Sequence, residues 1–460
     1  MGKERVIVIG GGVGGYPAAL RAARLGAEVT LIEREKIGGV CLNKGCISTK
    51  VFLHSASIYR EIKRASLFGL NTEKLEIDFN KLLVRKKAVV DRLTGGVASL
   101  LKNKNVKVLK GTASFTDSKS VKILETGEVL TGEKFILATG SIPAKLSIEG
   151  IENVPLLTSD DLLNIESLPS SLLIIGGGYI GVELGQFFSR MGVEVSIVEM
   201  LNRIIPTEDE EVSRALEGFL AKEGITIFTQ AKVEKIKKEG KNKRVIFSIP
   251  EGKKEIVTLE VAQTVGRRPH YLGINIEKIG LKTDMGRITV NDRMETNIPH
   301  IYAAGDVIGG IMLAHVAMAE GECAARNALG YPSTISYLAV PRCIYTSPEV
   351  ACVGLTEKEA MNQKAEVQVS RFPFHAVAKA ALTEDTEGMI KIVAGKKYGE
   401  ILGVHIIGPH ATELIAEAVL AMEMEVTVEE LAHIIHPHPT LSEGMGEAAM
   451  LLSGGALHLP

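Results

Sequence analysis

One glycine signature occurs twice in this chain, each time in the same local setting. The apolar, β-branched run Val6–Ile9 leads into Gly10-Gly11-Gly12-Val13-Gly14-Gly15. A helical pattern over Tyr16–Leu25 follows, with Pro17 tolerated in its first turn, and then a second run, Glu28–Ile32, that ends at Glu33. Leu172–Ile175, Gly176-Gly177-Gly178-Tyr179-Ile180-Gly181, Val182–Met191 and Glu194–Val198 repeat the arrangement and end at Glu199. In both copies the acid stands 23 residues after the first glycine.

Each part has a physical cause. The first glycine (Gly10, Gly176) makes the turn. The second (Gly12, Gly178) lets backbone approach a pyrophosphate, and the third (Gly15, Gly181) lets the helix pack on the strand. The helix N-terminus receives phosphates and the acid takes ribose hydroxyls. Two units mean two dinucleotides, or one fold repeated with one half empty. Glu199 favours NAD, because a carboxylate repels a 2′-phosphate. Buried parallel strands alternating with helices predict an α/β chain.

A second feature lies just after the first unit, in Gly39-Val40-Cys41-Leu42-Asn43-Lys44-Gly45-Cys46-Ile47-Ser48-Thr49-Lys50. Residues five apart in an ideal helix rise about 7.5 Å, and a disulfide needs Cα atoms within about 7 Å. If Cys41 and Cys46 are to bond, Cys41 lies outside the regular helix, which then starts near Gly45-Cys46. A thiol at a helix N-terminus gains thiolate character, and Lys44 adds positive charge between the two. The pair is either redox-active or two buried, reduced cysteines, and the flanking glycine motifs favour the first. Cys323, Cys343 and Cys352 sit among apolar neighbours and read as packing residues.

The remaining composition excludes several classes. With 460 residues the chain is long enough for three domains, and its net charge of −2 argues against nucleic acid as a partner. Five cysteines are too few for a secreted disulfide framework. No apolar run has the length of a membrane span, and the uncharged stretch Ser167–Val182 carries four glycines and a proline. We expect a cytoplasmic protein with no membrane partner.

Between the units, Lys50–Ala65 and the amphipathic Asp78–Lys102 predict helices, and Val106–Phe115, Ser120–Ile123 and Lys134–Leu137 predict strands. The strand Ile301–Ala304 presents Asp306 where α/β sheets bind ligands. From about residue 341 the pattern becomes α+β with an antiparallel sheet. Near the end stands His433-Ile434-Ile435-His436-Pro437-His438-Pro439-Thr440-Leu441-Ser442-Glu443. Its histidines lack an obvious fourth metal ligand, and the prolines oppose one convergent face. Glu443 could orient a histidine base, or close a Thr440-x-x-Glu443 capping box. The sequence leaves these two roles open.

Taken in order, Gly10–Gly15, Gly39–Lys50, Ala138–Ser141, Gly176–Gly185, Gly266–Pro269, Gly305–Asp306, Met312–His315, Tyr345–Glu349 and His438–Glu443 resemble the pyridine nucleotide-disulfide oxidoreductase family over essentially the whole chain. The resemblance implies two Rossmann-like dinucleotide-binding domains and a C-terminal dimerisation domain. The boundaries it implies are 1–146 for FAD, completed by 270–340, then 147–269 for NAD and 341–460 for the interface. It implies that Cys41 exchanges with substrate and that Cys46 lies beside the flavin, with Lys50 and Glu183 as an ion pair next to it. Asp306 and Ala314 resemble flavin contacts, as do Ala113, Thr139, Gly140, Ser141, Met312, Leu313 and His315. Val233 and Gly266 resemble backbone contacts to NAD. His438, oriented by Glu443 and followed by a cis proline bond, resembles the acid/base that reaches the other subunit's site.

Within the family, the pattern is most similar to members that oxidise dihydrolipoamide carried on a separate lipoyl-bearing protein, of a 2-oxo acid dehydrogenase or glycine-cleavage complex. Rival readings are an NADH-dependent reductase of another disulfide and a catalytically silent flavoprotein subunit. Lys44 stands where the family commonly has Val, Ser48 where Pro is common, and Gln263 interrupts an expected apolar strand.

Overall fold

The computed structural model describes residues 3–363 and 366–459. Two parallel sheets carry the two glycine units. In the first, the strands run in the order 301–303, 134–137, 5–9, 28–33 and 107–110, all parallel. In the second the order is 226–228, 194–198, 171–175 and 260–263. Each glycine loop therefore leaves an interior strand, and Val6 and Ile7 of the first and Leu173 and Ile174 of the second, which point to opposite faces, are all buried, as in central parallel strands.

Steric contact explains the glycines. Gly10 has φ +103°, and a Cβ there would lie 2.3 Å from the Ala138 carbonyl oxygen. A Cβ on Gly15 would lie 1.8 Å from the Gly10 carbonyl oxygen, and one on Gly181 would lie 2.0 Å from that of Gly176. The helices Gly15–Arg24 and Tyr179–Arg190 can reach their strands only without side chains at these points.

Two expectations about strands need correction. Val106–Phe115 is not one strand. Gly111, at φ +152°, breaks it into Lys107–Lys110 of the parallel sheet and Ala113–Asp117, which opens a three-stranded antiparallel meander. A second meander, Lys232–Glu239, Asn242–Ile249 and Gly252–Thr258, was not foreseen. One face of it is solvated and rich in Lys and Glu, residues that strands usually avoid, and this masks its period-two pattern.

The C-terminal sheet is antiparallel throughout, in the order 342–344, 349–354, 401–408, 389–395 and 367–373. The helices Ala411–Glu423 and Glu443–Ser453 pack on it through Ile415, Ala418, Met445 and Ala448. A core shared by three regions then sets the position of the site. Phe52, on the helix Cys46–Lys63, stacks on Phe187 of the helix Tyr179–Arg190 with ring centroids 4.6 Å apart. Ile344, Val350 and Ile407 of the C-terminal sheet join the same cluster. Burying each such side chain contributes about 1.5–3 kcal/mol. Among the described residues, no helix is long and apolar enough to cross a membrane.

Candidate active site

Cys41 and Cys46 flank a break between two helices. Gly38 and Gly39 take positive φ, the short helix Gly39–Lys44 follows, Gly45 interrupts it at φ −144° and ψ −114°, and Cys46 opens the helix Cys46–Lys63. Cys41 is thus outside the second helix, as expected, but it sits in a helix of its own, which the sequence reading had not placed. Side chains brace the break: Asn43 Nδ2 donates to the Gly39 carbonyl at 2.9 Å, Ser48 Oγ to that of Asn43 at 3.1 Å, and Thr49 Oγ1 to that of Gly45 at 2.9 Å.

Both cysteines are free thiols, the reduced form of the pair. The Cys41 thiol donates to Cys46. That bond, with Lys50 nearby, lowers the Cys46 pKa to about 7 against the opposing effect of burial. The same bond, together with burial, pushes the Cys41 thiol up. The two thiols thus shift in opposite directions, Cys46 down and Cys41 up.

Lys44 does not supply the cation expected of it. Its Nζ pairs with Glu35 at 3.0 Å and Asp160 at 3.4 Å. Lys50 takes that place. Its Nζ meets both carboxylate oxygens of buried Glu183, at 2.9 and 3.0 Å, and lies 4.3 Å from the centroid of the Tyr345 ring. Tyr345 also donates its backbone N–H to Glu183 Oε1 at 2.9 Å. No local sequence signal marks this role of Tyr345, which depends on the C-terminal sheet packing across the helix Tyr179–Arg190.

A continuous cavity of about 1260 Å³ joins these groups to both glycine loops. On its first side stand Gly10, Gly12, Glu33, Ala113, Thr139 and Gly140, with Ser141, Asp306, Met312, Leu313 and Ala314. On its second stand Gly176, Gly178, Glu199, Val233 and Gly266, and Cys41, Cys46, Lys50 and Glu183 lie between the two. Gly15 and Gly181 do not line it, because they pack helix on strand. His315 does not either: it is exposed, with Nε2 3.0 Å from the Pro341 carbonyl oxygen. Cys343 is half-buried and packs against the C-terminal core, as expected, and it also lines the cavity.

The two acids repeat each other in atomic detail. Glu33 Oε2 accepts the Gly11 N–H at 2.6 Å and Oε1 that of Glu35 at 2.6 Å. Glu199 Oε2 accepts the Gly177 N–H at 2.7 Å and Oε1 that of Leu201 at 2.8 Å. Ser141 Oγ donates to Asp306 Oδ2 and accepts from Arg267 Nε at 2.8 Å. Thr139 Oγ1 is buried with no partner among the described residues, and Gly140 has open space where a Cβ would stand. An unpaired donor and a bare backbone beside the first loop fit a bound dinucleotide such as FAD.

His438 lies outside this cavity, with an exposed side chain. Its Nδ1 is 2.8 Å from Glu443 Oε1, and Glu443 Oε2 accepts the Thr440 N–H at 2.8 Å. One carboxylate thus holds the histidine and the Thr440 N–H. The box itself does not form, because the helix Glu443–Ser453 begins at Glu443 with Ser442 at its N-cap, and no side chain caps it. The His438-Pro439 bond is cis. His436 pairs instead with Glu417, at 2.8 Å, and no group of three His, Cys, Asp or Glu among the described residues could hold a metal ion.

Neither thiol can deliver a hydride by itself. A dithiol set between two nucleotide clefts is suited to passing an electron pair between a disulfide and a dinucleotide, and this defines a dithiol–disulfide oxidoreductase. The chain belongs to the pyridine nucleotide-disulphide oxidoreductase family, which matches residues 4–321, and the dimerisation domain of that family matches residues 340–449. A dihydrolipoyl dehydrogenase of Bacillus subtilis (strain 168) is 42% identical, over 98% of this chain and 98% of its own. One from Thermus scotoductus is 44% identical, over 99% and 98%. Among solved structures, LpdA from Mycobacterium tuberculosis superposes with a TM-score of 0.89 at 28% identity, over 98% of this chain and 99% of that one.

Proposed function

We propose that the chain oxidises protein-bound dihydrolipoamide to lipoamide and reduces NAD to NADH, as a homodimeric FAD enzyme. One observation carries this reading: the Cys41/Cys46 pair and the Lys50–Glu183 ion pair line the same cavity as both glycine loops. Relatives about 40% identical over their full length bear the name of that activity, which disfavours both rival readings.

FAD belongs on Gly10, Gly12 and Gly15, with Glu33 at the ribose and Ala113, Gly140, Asp306 and Ala314 along its length. NAD belongs on Gly176, Gly178 and Gly181, with Glu199, Val233 and Gly266. The cavity runs through three regions, 1–146 with 270–340, 147–269 and 341–460, which we assign as the FAD, NAD and interface domains. His438 and Glu443 of one protomer serve the cavity of the other, which is why His438 is solvent-exposed in a single chain. The partner is a lipoyl-bearing protein, and the compartment is the cytoplasm.

The residues act in sequence. His438 takes the proton of one substrate thiol. The thiolate attacks Cys41 Sγ of the Cys41–Cys46 disulfide, and Cys46 leaves as a thiolate that the nearby Lys50 cation favours. The second substrate thiol loses its proton and attacks the sulfur bound to Cys41. A lipoyl disulfide is released, and Cys41 recovers a proton. The electron pair and the remaining charge then reside on the cysteine pair. FAD supplies the chemistry that joins a two-electron thiolate donor to hydride transfer onto NAD.

The test is anaerobic turnover of the purified holoenzyme with dihydrolipoamide and NAD. It is run beside NADP, and in reverse with glutathione and coenzyme A disulfides. Fast, NAD-selective turnover with the lipoyl substrate alone is expected. Preference for another disulfide, or no turnover with any, overturns the assignment.

A further inference from the structure

The second glycine loop is fastened to the C-terminal sheet by side chains that thiol exchange does not use. Tyr179 opens the helix Tyr179–Arg190 and lines the cavity one turn before Glu183, on the same helix face. Its hydroxyl donates to Glu208 Oε1. The Glu208 side chain is wholly buried, and Arg342 Nε lies 3.1 Å from each of its oxygens. Arg342 begins the strand Arg342–Ile344, whose next residue, Tyr345, binds Glu183.

The adjacent acid is held in the same way. Asp209 caps the helix Glu210–Lys222 and takes buried Lys391 Nζ at 2.9 Å. Two neighbouring acids thus bind one turn to two strands of another sheet. Buried ion pairs add little net stability over apolar packing, so they are better explained by orientation. Of the two, the Glu208–Arg342 pair is the one that holds the Tyr179 hydroxyl. Tyr179 lines the cavity together with Gly176, Gly178, Lys50 and Glu183, so a nicotinamide reaching from the second glycine loop toward Lys50–Glu183 would meet its ring.

We propose that Glu208 and Arg342 are positioning residues for NAD, holding the Tyr179 ring against the cavity wall where the nicotinamide enters. The proposal rests on reading this cleft as the NAD site. Without the anchor, the ring has to be ordered each time the ligand binds.

Calorimetric titration of the FAD-loaded dimer with NAD⁺ and with ADP-ribose, which lacks the nicotinamide, tests this. Tyr179→Phe removes one hydroxyl and leaves the Glu208–Arg342 pair intact. It is expected to weaken NAD⁺ about twofold to tenfold, the cost of ordering one freed side chain, and to leave ADP-ribose unchanged. Arg342→Lys, at the far end of the anchor, should give the same selective loss. Equal loss of both ligands, or of neither, in Tyr179→Phe overturns the positioning role while leaving the NAD site standing. If the wild-type dimer binds neither ligand, the NAD reading fails and this proposal fails with it.

Discussion

Lys50 and Glu183 meet through both carboxylate oxygens, although 133 residues separate them in the chain. Their pairing follows from packing two residues beyond Lys50 and four beyond Glu183, where Phe52 stacks on Phe187 and draws the redox helix onto the helix of the second glycine unit. Phe52→Ala should therefore cost about 3–5 kcal/mol of stability and also loosen the ion pair. Denaturant titration of the holoenzyme reads the first effect, and turnover of the surviving folded fraction reads the second. Full activity with an unchanged midpoint would contradict the coupling.

The Cys41/Cys46 pair carries a pH signature. Cys46 is held down to about 7, with the Cys41 hydrogen bond as the largest cause and Lys50 adding to it against burial. A thiol with a lowered pKa is thiolate above that value and loses its charge as pH falls through it. Alkylation of Cys46 by iodoacetamide in the reduced enzyme should accordingly rise with pH about a midpoint near 7. Lys50→Met removes a favourable cation and should move the midpoint upward. A midpoint unmoved by Lys50→Met would refute the electrostatic contribution.

Roles separate the two cysteines from the histidine. Cys41→Ser should abolish dihydrolipoamide turnover while FAD stays bound, and retained turnover would end the exchange role. His438→Ala should slow the dithiol half-reaction by about 10²–10⁴, the usual contribution of a positioned base. It should spare NADH oxidation by an artificial electron acceptor. Rapid-mixing measurements of each half-reaction distinguish these outcomes, and equal slowing of both would refute the base assignment.

The third glycine of each loop gives a paired prediction. Gly15→Ala places a Cβ 1.8 Å from the Gly10 carbonyl oxygen, and Gly181→Ala places one 2.0 Å from that of Gly176. The first variant should purify without flavin. The second should keep its flavin and lose NAD binding. Flavin content per chain and NAD⁺ titration check both, and the reverse pattern would exchange the two clefts.

Some of this was legible in the sequence, and the reasons differ by element. The glycine units were, because strand, turn, helix and acid follow in fixed register within a short stretch. The α+β texture after residue 341 was also legible, from its regular short strands. Lys44 was misread because charge between two cysteines in sequence says nothing of direction, and the side chain turns to Glu35 and Asp160. Of the two roles weighed for Glu443, the contact with His438 forms and the capping box does not, because the helix begins at Glu443 itself and only the Thr440 N–H reaches its carboxylate. The Tyr345–Glu183 and Arg342–Glu208 contacts gave no signal, because the partners lie more than a hundred residues apart.

The most direct test of the central claim is a thiol map of the FAD-loaded dimer before and after one equivalent of dihydrolipoamide, with NAD absent. Alkylation followed by peptide mass spectrometry reads it. We expect Cys41 and Cys46 to be recovered as one linked peptide from the oxidised enzyme and as two alkylated thiols after the dithiol. Cys323, Cys343 and Cys352 should be unchanged between the two samples. A Cys41–Cys46 pair that stays alkylatable in the oxidised enzyme, or stays linked after dihydrolipoamide, would contradict the account.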